Sequence, residues 1–249
     1  MVRLSAVIIT RNEEREIADC LDSLAFCDER IVLDCGSADR TVALARSHGA
    51  LVYHLDWQGF GRQKDAALSL ATGEWVLSID ADERATRDLA DAISAAIHDT
   101  NHAAFRMPRL ATFLGQEIRT SGWWPDHVVR LVRRGAGRFN HAAIHEQIEV
   151  NGTIGAIDTP LLHHAVRDLD QVTQKIDRYS RLGADHMAAS GREVGFFSGP
   201  LHALGAFMRM YVLKRGFMDG RNGFLIAMIA AHNTFYRYMK VWTERRRDG

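Results

Sequence analysis

Short apolar runs alternate with amphipathic stretches through the first hundred residues. Leu4 to Thr10 is nearly continuously apolar, as expected of a parallel strand covered on both faces. Thr10-Arg11-Asn12-Glu13-Glu14 follows, with cap-forming Thr and Asn and acidic first-turn residues, and then Ile17, Leu21 and Leu24 recur at helical spacing. Ile31-Val32-Leu33 gives a second strand that ends in Asp34. Gly36 then permits a tight turn, and Ser37 or Asp39 is placed to cap a helix carrying Val42, Leu44 and Ala45. Leu51 to Leu55 is a third, shorter strand. Gly59-Phe60-Gly61-Arg62-Gln63-Lys64 opens the next helix, which runs through Ala66, Ala67, Leu68 and Leu70. Val76, Leu77 and Ile79 form a fourth strand, and Thr86 starts a helix through Leu89, Ala92, Ile93 and Ile97. This alternation predicts an α/β fold with a parallel sheet and right-handed crossovers.

The pattern changes after about Asn101. Ala103 to Leu110 and Val128 to Val132 read as strands with no helix between them, hence antiparallel, and Phe113 to Trp124 reads as a loop or hairpin. Ala143 to Ile148 and Leu161 to His164 complete a mixed β region. From Asp168 the spacing turns helical, with Val172, Ile176, Tyr179, Ser180 and Gly183 at three- and four-residue steps. The expected organisation is an α/β half over 1–100, a mixed β region of the same domain over 101–167, and a helical extension over 168–249. In that extension two apolar stripes, Phe196 to Val212 and Phe224 to Trp242, are interspersed with Arg209, Lys214, Arg215, Arg221, Arg237 and Lys240. Basic amphipathic helices of this kind either lie in the interface of an anionic bilayer or pack on a domain or a second subunit.

Composition narrows the class. The apolar fraction of 47% is ordinary for a protein with a real core, and 31 basic against 31 acidic residues give no global field that would draw nucleic acid. Cys20, Cys27 and Cys35 are odd in number and lack C-x-x-C spacing, and no charged-then-apolar leader precedes the first strand. A reducing cytosolic compartment is the expectation. No apolar run reaches the roughly 18–20 residues that cross a bilayer.

The candidate chemistry gathers at the fourth strand, which ends in Asp80-Ala81-Asp82-Glu83. In open α/β sheets ligands bind at the C-terminal strand edge, where Asp80 and Asp82 can aim at one cation. Hard oxygen ligands suit Mg²⁺ or Mn²⁺ carried in with a diphosphate, although Asp also favours helix starts and surface turns. The two glycines and two cations of Gly59 to Lys64 can cradle phosphate with backbone donors and charge, although an ordinary glycine-rich loop has the same composition.

Three motifs in this order, Thr10 to Glu13, Asp34-Cys35-Gly36-Ser37-Ala38-Asp39-Arg40-Thr41 and Asp80 to Glu83, resemble those of family 2 inverting glycosyltransferases with a GT-A fold. Further segments are similar to the lipopolysaccharide core β-glucosyltransferases of Gram-negative bacteria. They are Gly59 to Lys64, Trp124-Pro125-Asp126, Arg130 to Arg134, His145-Glu146 and Lys214 to Gly220. The resemblance implies that Thr10, Arg11 and Glu13 line a nucleotide pocket with Gly36, Ser37 and Ala81 beside it. It also implies that Asp34 contacts the base, and that Asp80 and Asp82 hold ribose and metal, Asp82 more directly.

A departing nucleotide diphosphate needs its charge offset, which a divalent cation with Lys64 or Arg62 supplies. Inverting transfer needs a carboxylate base at the acceptor hydroxyl, and Glu146 is the first candidate and Asp126 the second, with His145 orienting Glu146. Trp123 and Trp124 suit a sugar platform or simply a core. Arg130, Arg133 and Arg134 suit the leaving phosphate or a phosphorylated acceptor sugar through bidentate contacts, or are solvated charges. His163 and His164 read as structural before metal-binding. The expected activity moves a hexose, glucose first, from a UDP-sugar to a lipid-linked acceptor such as an inner-core heptose, at the cytoplasmic face of the inner membrane. A polyprenyl-phosphate acceptor, a nucleotidyltransferase and a non-catalytic adaptor of the same fold are the alternatives. The nucleotidyltransferase lacks its glycine-rich, basic signature after the first strand, and the adaptor should show a broken carboxylate pair.

Overall fold

The computed structural model describes residues 3–98, 101–140, 146–190 and 194–245, apart from the side chains of 171, 174 and 245. The chain forms two compact units, Met1–Arg109 with Asp126–His163, and Leu110–Pro125 with His164–Gly249. The segment 110–125 thus belongs with the helices that follow the sheet, whereas the sequence groups it with the mixed β region.

The first unit opens with β1 (Leu4–Thr10), α1 (Ile17–Ser23), β2 (Glu29–Asp34), α2 (Thr41–Ser47), β3 (Leu51–His54), α3 (Phe60–Leu70) and β4 (Trp75–Ser78). Next come β5 (Glu83–Arg84), α4 (Arg87–Ala96), β6 (Ala104–Phe113), β7 (Gln116–Glu117) and β8 (Asp126–Arg133). The hairpin of β9 (Gly137–Phe139) and β10 (Ile148–Val150), then β11 (Ile154–Ala156) and β12 (Leu161–Val166), complete the strands, with β7 and the ends of β6 and β12 lying in the second unit. The main sheet runs β3-β2-β1-β4-β8-β6-β12-β5. The four strands of the first hundred residues are parallel, as the alternation predicts, and β8 returns antiparallel beside β4.

Alternate residues of each central strand feed two apolar layers. Ile8, Val32 and Leu77 pack with Leu21, Leu89 and Ile93 on one face, and Val7, Ile31, Leu33 and Val76 pack with Ala67 on the other. Burial of each such Leu or Ile contributes about 2 kcal/mol, so the strand edge that carries the carboxylates is anchored. Thr86 caps α4 as expected, its hydroxyl oxygen accepting from the Leu89 N–H at 3.2 Å.

In the second unit β7 pairs with the end of β6, and α5 (Leu169–Ala189), α6 (Ser198–Met208) and α7 (Gly220–Arg245) follow. Phe113, Ile118, Val166, Val172 and Ile226 make its core, with Trp123 edge-on to Phe113 at 6.2 Å. Between α5 and α7 lies a cavity of about 310 Å³ whose lining includes Trp123, Ile176, Met210 and Asn233. No helix among the described residues is long and apolar enough to cross a membrane.

Candidate functional site

Register assembles the site. Thr10 and Asp34 are partners at the ends of β1 and β2, and Leu77 of β4 pairs with Leu131 of β8, so Arg130 emerges next to the turn that carries Asp80. Asp34 is nearly fully buried and accepts four hydrogen bonds: the Gly36 N–H at 3.0 Å, the Ser37 N–H at 2.9 Å, the Ser37 hydroxyl at 2.5 Å and the Thr10 hydroxyl at 3.2 Å. Burial pushes its carboxyl up, but these donors outweigh burial and hold it below the usual value. Gly36 sits at φ 92°, a backbone that side chains rarely adopt, which is why glycine stands there.

The neighbouring loop does not work as a helix cap. Asn12, at φ 57°, accepts from the Ala38 N–H at 2.8 Å and gives its own N–H to the Ser37 hydroxyl at 2.8 Å. Glu13 donates its N–H to Thr41 Oγ1 at 2.8 Å. The Thr10–Glu14 and Asp34–Thr41 loops are thereby stitched together, and α1 starts only at Ile17 with no side-chain cap. Ser37 likewise caps nothing, while Asp39 does accept from the Thr41 N–H at 3.0 Å. Asp34→Asn turns one acceptor oxygen into a donor facing N–H groups, and is expected to lose about 2 kcal/mol in urea unfolding at pH 7. Because the folded carboxyl is more acidic than the unfolded one near 3.8, the difference from wild type is full above that pH and fades as pH falls through the folded value.

At the β4 edge, charges of opposite sign interlock. Lys64, buried one turn into α3, donates to Asp80 Oδ1 at 2.9 Å and to Glu146 Oε1 at 2.9 Å. Gly59, at φ 98°, lets the chain enter that helix, and Arg62 is exposed to solvent. Arg130 Nη2 reaches Asp80 Oδ2 at 2.5 Å and Glu83 Oε1 at 2.6 Å. Glu83, fully buried, also accepts the Asp80 N–H at 2.9 Å, and Arg109 Nη1 stands 3.5 Å from it. Arg109 grips Asp126 Oδ2 through Nε at 3.0 Å and Nη2 at 2.6 Å, the two residues being cross-strand partners of β6 and β8. Burial alone would raise the Asp80 carboxyl, yet Arg130 and Lys64 keep it well below the carboxylate range. In Glu83 burial wins and the shift is upward.

Asp82 stands apart from this lattice. Its side chain is 37% exposed and one oxygen lies 3.3 Å from His163 Nε2 on β12. Burial raises its carboxyl, the His163 contact lowers it further, and the net shift is downward. Ala81 is buried, and its carbonyl accepts from Arg84, which also holds Glu16 at 2.8 Å and so fastens the turn to α1. No group of three or more His, Cys, Asp or Glu side chains that could hold a metal ion converges among the described residues.

The mixed sheet thus carries carboxylates at its parallel strand edge with cations facing them, at the edge where open α/β sheets bind ligands. The family model of glycosyl transferase family 2 matches residues 5–148, the segment that carries this edge. The chain is a family 2 glycosyltransferase. It is 33% identical over 258 residues to the lipopolysaccharide core biosynthesis glycosyltransferase LpsC of Rhizobium meliloti, covering 96% of this chain and 92% of that protein. An uncharacterized glycosyltransferase of Rickettsia typhi is 28% identical over 254 residues, 97% of this chain and 87% of its own length. Among solved structures, the mannosyltransferase PcManGT from Pyrobaculum calidifontis, in complex with GDP-Man and Mn²⁺, superposes with a TM-score of 0.51 at 19% identity, over 92% of this chain and 74% of that one. The fold is GT-A.

Within this glycosyltransferase the first unit links Lys64, Asp80, Glu146, Arg130 and, through Glu83 and Arg109, Asp126 in one ion-pair network, while Asp82 faces His163 beside it. Arg130 is buried beneath the carboxylates, where the sequence assigned it to acceptor or phosphate. Trp123 and Trp124 belong to the second unit, Trp123 in its core and Trp124 under the Arg119 guanidinium at 5.4 Å. His145 lies outside the described residues. Sequence reading missed Arg109 and the keystone position of Glu83. Arg109 becomes visible only once β6 and β8 are in register.

Proposed function

We propose that this enzyme is a metal-dependent inverting hexosyltransferase that moves glucose from UDP-glucose to a lipid-linked saccharide, an inner-core heptose of lipopolysaccharide, at the cytoplasmic face of the inner membrane. The observation that carries it is the Lys64 bridge, one ammonium bonded at 2.9 Å to Asp80 of the donor edge and at 2.9 Å to Glu146. A donor-side cation and a candidate base are thus coupled in one unit. The relationship to LpsC supports the acceptor class.

Asp82, a partly open carboxylate, with the His163 imidazole nitrogen beside it, would hold Mg²⁺ or Mn²⁺. Bound there, the cation supplies Lewis-acid compensation of the diphosphate charge. Lys64 has three N–H groups and spends two on carboxylates, which leaves one for a phosphate oxygen. Asp80, with both oxygens already facing cations, has lone pairs left for a ribose hydroxyl. Thr10, Arg11, Glu13, Gly36, Ser37 and Ala81 line the nucleotide side, and Arg62 at the mouth adds charge. At Asp34, a base N–H would take the place of the rotatable Ser37 hydroxyl. Glu146 accepts the proton of the acceptor hydroxyl as that oxygen bonds the anomeric carbon and the bond to the diphosphate breaks on the opposite face. Asp126, 45% exposed and held by Arg109, is the weaker candidate because Glu146, 17% exposed, shares a cation with the donor edge.

Glu146→Gln keeps the shape and removes the base, so kcat should fall on the order of 10²-fold with donor KM little changed. UDP release with lipopolysaccharide extracted from a strain lacking this gene, read together with product mass, checks this across a panel of nucleotide sugars. Intact turnover in both Glu146→Gln and Asp126→Asn would point to a polyprenyl-phosphate acceptor, whose phosphate needs no base. A product mass other than that of a hexose would replace the donor assignment.

A further inference from the structure

Phe197, at the N-cap of α6, and Leu201, Leu204 and Met208 within it follow at steps of four, three and four residues. At 3.6 residues per turn they fall within roughly 60° of one another. They are 79%, 68%, 60% and 47% exposed. The opposite side carries small residues: Gly199, where a Cβ would meet Met239 of α7 at 3.0 Å, and the half-buried Ala203 and Ala206. The helix therefore packs inward through its small face and presents its large apolar face outward. Leu213 and Met218, just after the helix in the chain, are also exposed. Isolated exposed leucines are unremarkable, but a continuous row of this length marks a contact surface.

The flanking charge has one sign. Arg209, Lys214, Arg215 and Arg221 are all exposed, and the one acid among residues 194–224 is Asp219. That carboxylate is buried and committed to Thr120, accepting from its hydroxyl and from its N–H at 3.1 Å. A second copy of the same chain would set these cations against themselves across a twofold axis, with no acid to answer them. A phosphate-bearing lipid surface answers them directly.

We propose that this outward face of α6 inserts at an anionic bilayer surface, with Leu201 and Leu204 at its centre and Arg209, Lys214, Arg215 and Arg221 on the headgroup phosphates. The docking face gives the lipid-linked acceptor reading a membrane attachment and rests on that reading for its purpose. Its test needs neither acceptor nor turnover. The full chain is sedimented with vesicles of phosphatidylcholine alone or mixed with phosphatidylglycerol, with the oligomeric state measured by light scattering.

Wild type should partition onto the anionic vesicles at least tenfold more strongly than onto phosphatidylcholine, and the preference should shrink as salt rises. The double variant L201E/L204E should lose at least tenfold of that partition while UDP affinity stays unchanged, and R209Q/R221Q should lose the anionic preference while keeping residual apolar binding. The proposal is overturned if wild type ignores anionic vesicles, if L201E/L204E binds as wild type does, or if wild type is a dimer that L201E/L204E splits. Vesicle binding without any product on a lipid-linked saccharide would sustain the docking face and remove the acceptor reading instead.

Discussion

Arg130→Met should destabilise the fold by roughly 3–5 kcal/mol, the range for removing one partner of a buried ion pair. Arg130 is 5% exposed and a single nitrogen, Nη2, serves both Asp80 and Glu83. Methionine fills much of the volume but leaves Glu83 fully buried, with Arg109 at 3.5 Å as its nearest remaining cation. Asp80 loses less, because Lys64 still holds its other oxygen. Arg109→Met should cost much less, since its main partner Asp126 is 45% exposed, so that solvent can take over its charge, and pairs open to solvent are worth about 1 kcal/mol. Arg130→Lys should fall between the two, because an ammonium keeps the charge but sits on a shorter stem than the guanidinium nitrogen that reaches both carboxylates. Urea unfolding of the three variants at neutral pH gives the order. Equal losses for Arg130→Met and Arg109→Met would mean that the buried carboxylates are not held by Arg130.

Why the sequence discloses some of this site and hides the rest follows from the range of each interaction. The parallel half is written locally: Leu4 to Thr10, Ile31 to Asp34 and Val76 to Ile79 are apolar runs that end in polar groups, and the fold places those ends on one edge. Lys64 was likewise legible as a cation at a helix start. Asn12 and Ser37 were misread as helix caps because a cap and a cross-loop clamp use the same short polar side chains. Their partners, Ala38 and Asn12, lie about twenty-five residues away. The Arg109–Asp126 pair depends on a register that shifts between Phe105 and Arg106, which no spacing rule reveals.

The grouping of 110–125 with the later helices is hidden from the sequence for a similar reason. The hairpin expected from Phe113 onward does form, β6 pairing with β7, and only the packing shows that Val166, Val172 and Ile226 share a core with Phe113 and Ile118. On α6 the usual expectation is reversed, since the small residues face the neighbouring helix and the large ones face outward. Amphipathic periodicity defines a stripe, and it takes the packing to say which side of the helix is covered.

Asp82→Ala should leave the fold intact and remove turnover by about 10³-fold or more, corresponding to the several kcal/mol that a divalent cation gives a departing diphosphate. The two aspartates of the pair differ in how they are held. Asp80 is clamped between Lys64 and Arg130, so its removal leaves two cations facing each other and costs stability as well as activity. Asp82 is partly open and faces His163 at 3.3 Å, so its loss uncovers no buried charge. Thermal unfolding should therefore separate Asp80→Ala, with a clear fall in Tm, from Asp82→Ala, with little change. Titration of UDP with and without Mn²⁺ should show metal-linked affinity in the wild type that disappears in Asp82→Ala and weakens in His163→Gln, which keeps the carboxylate donor. Full turnover in Asp82→Ala, or metal-linked affinity that survives it, would move the cation away from this turn and leave the Lys64 bridge as the main counter-charge to the leaving group.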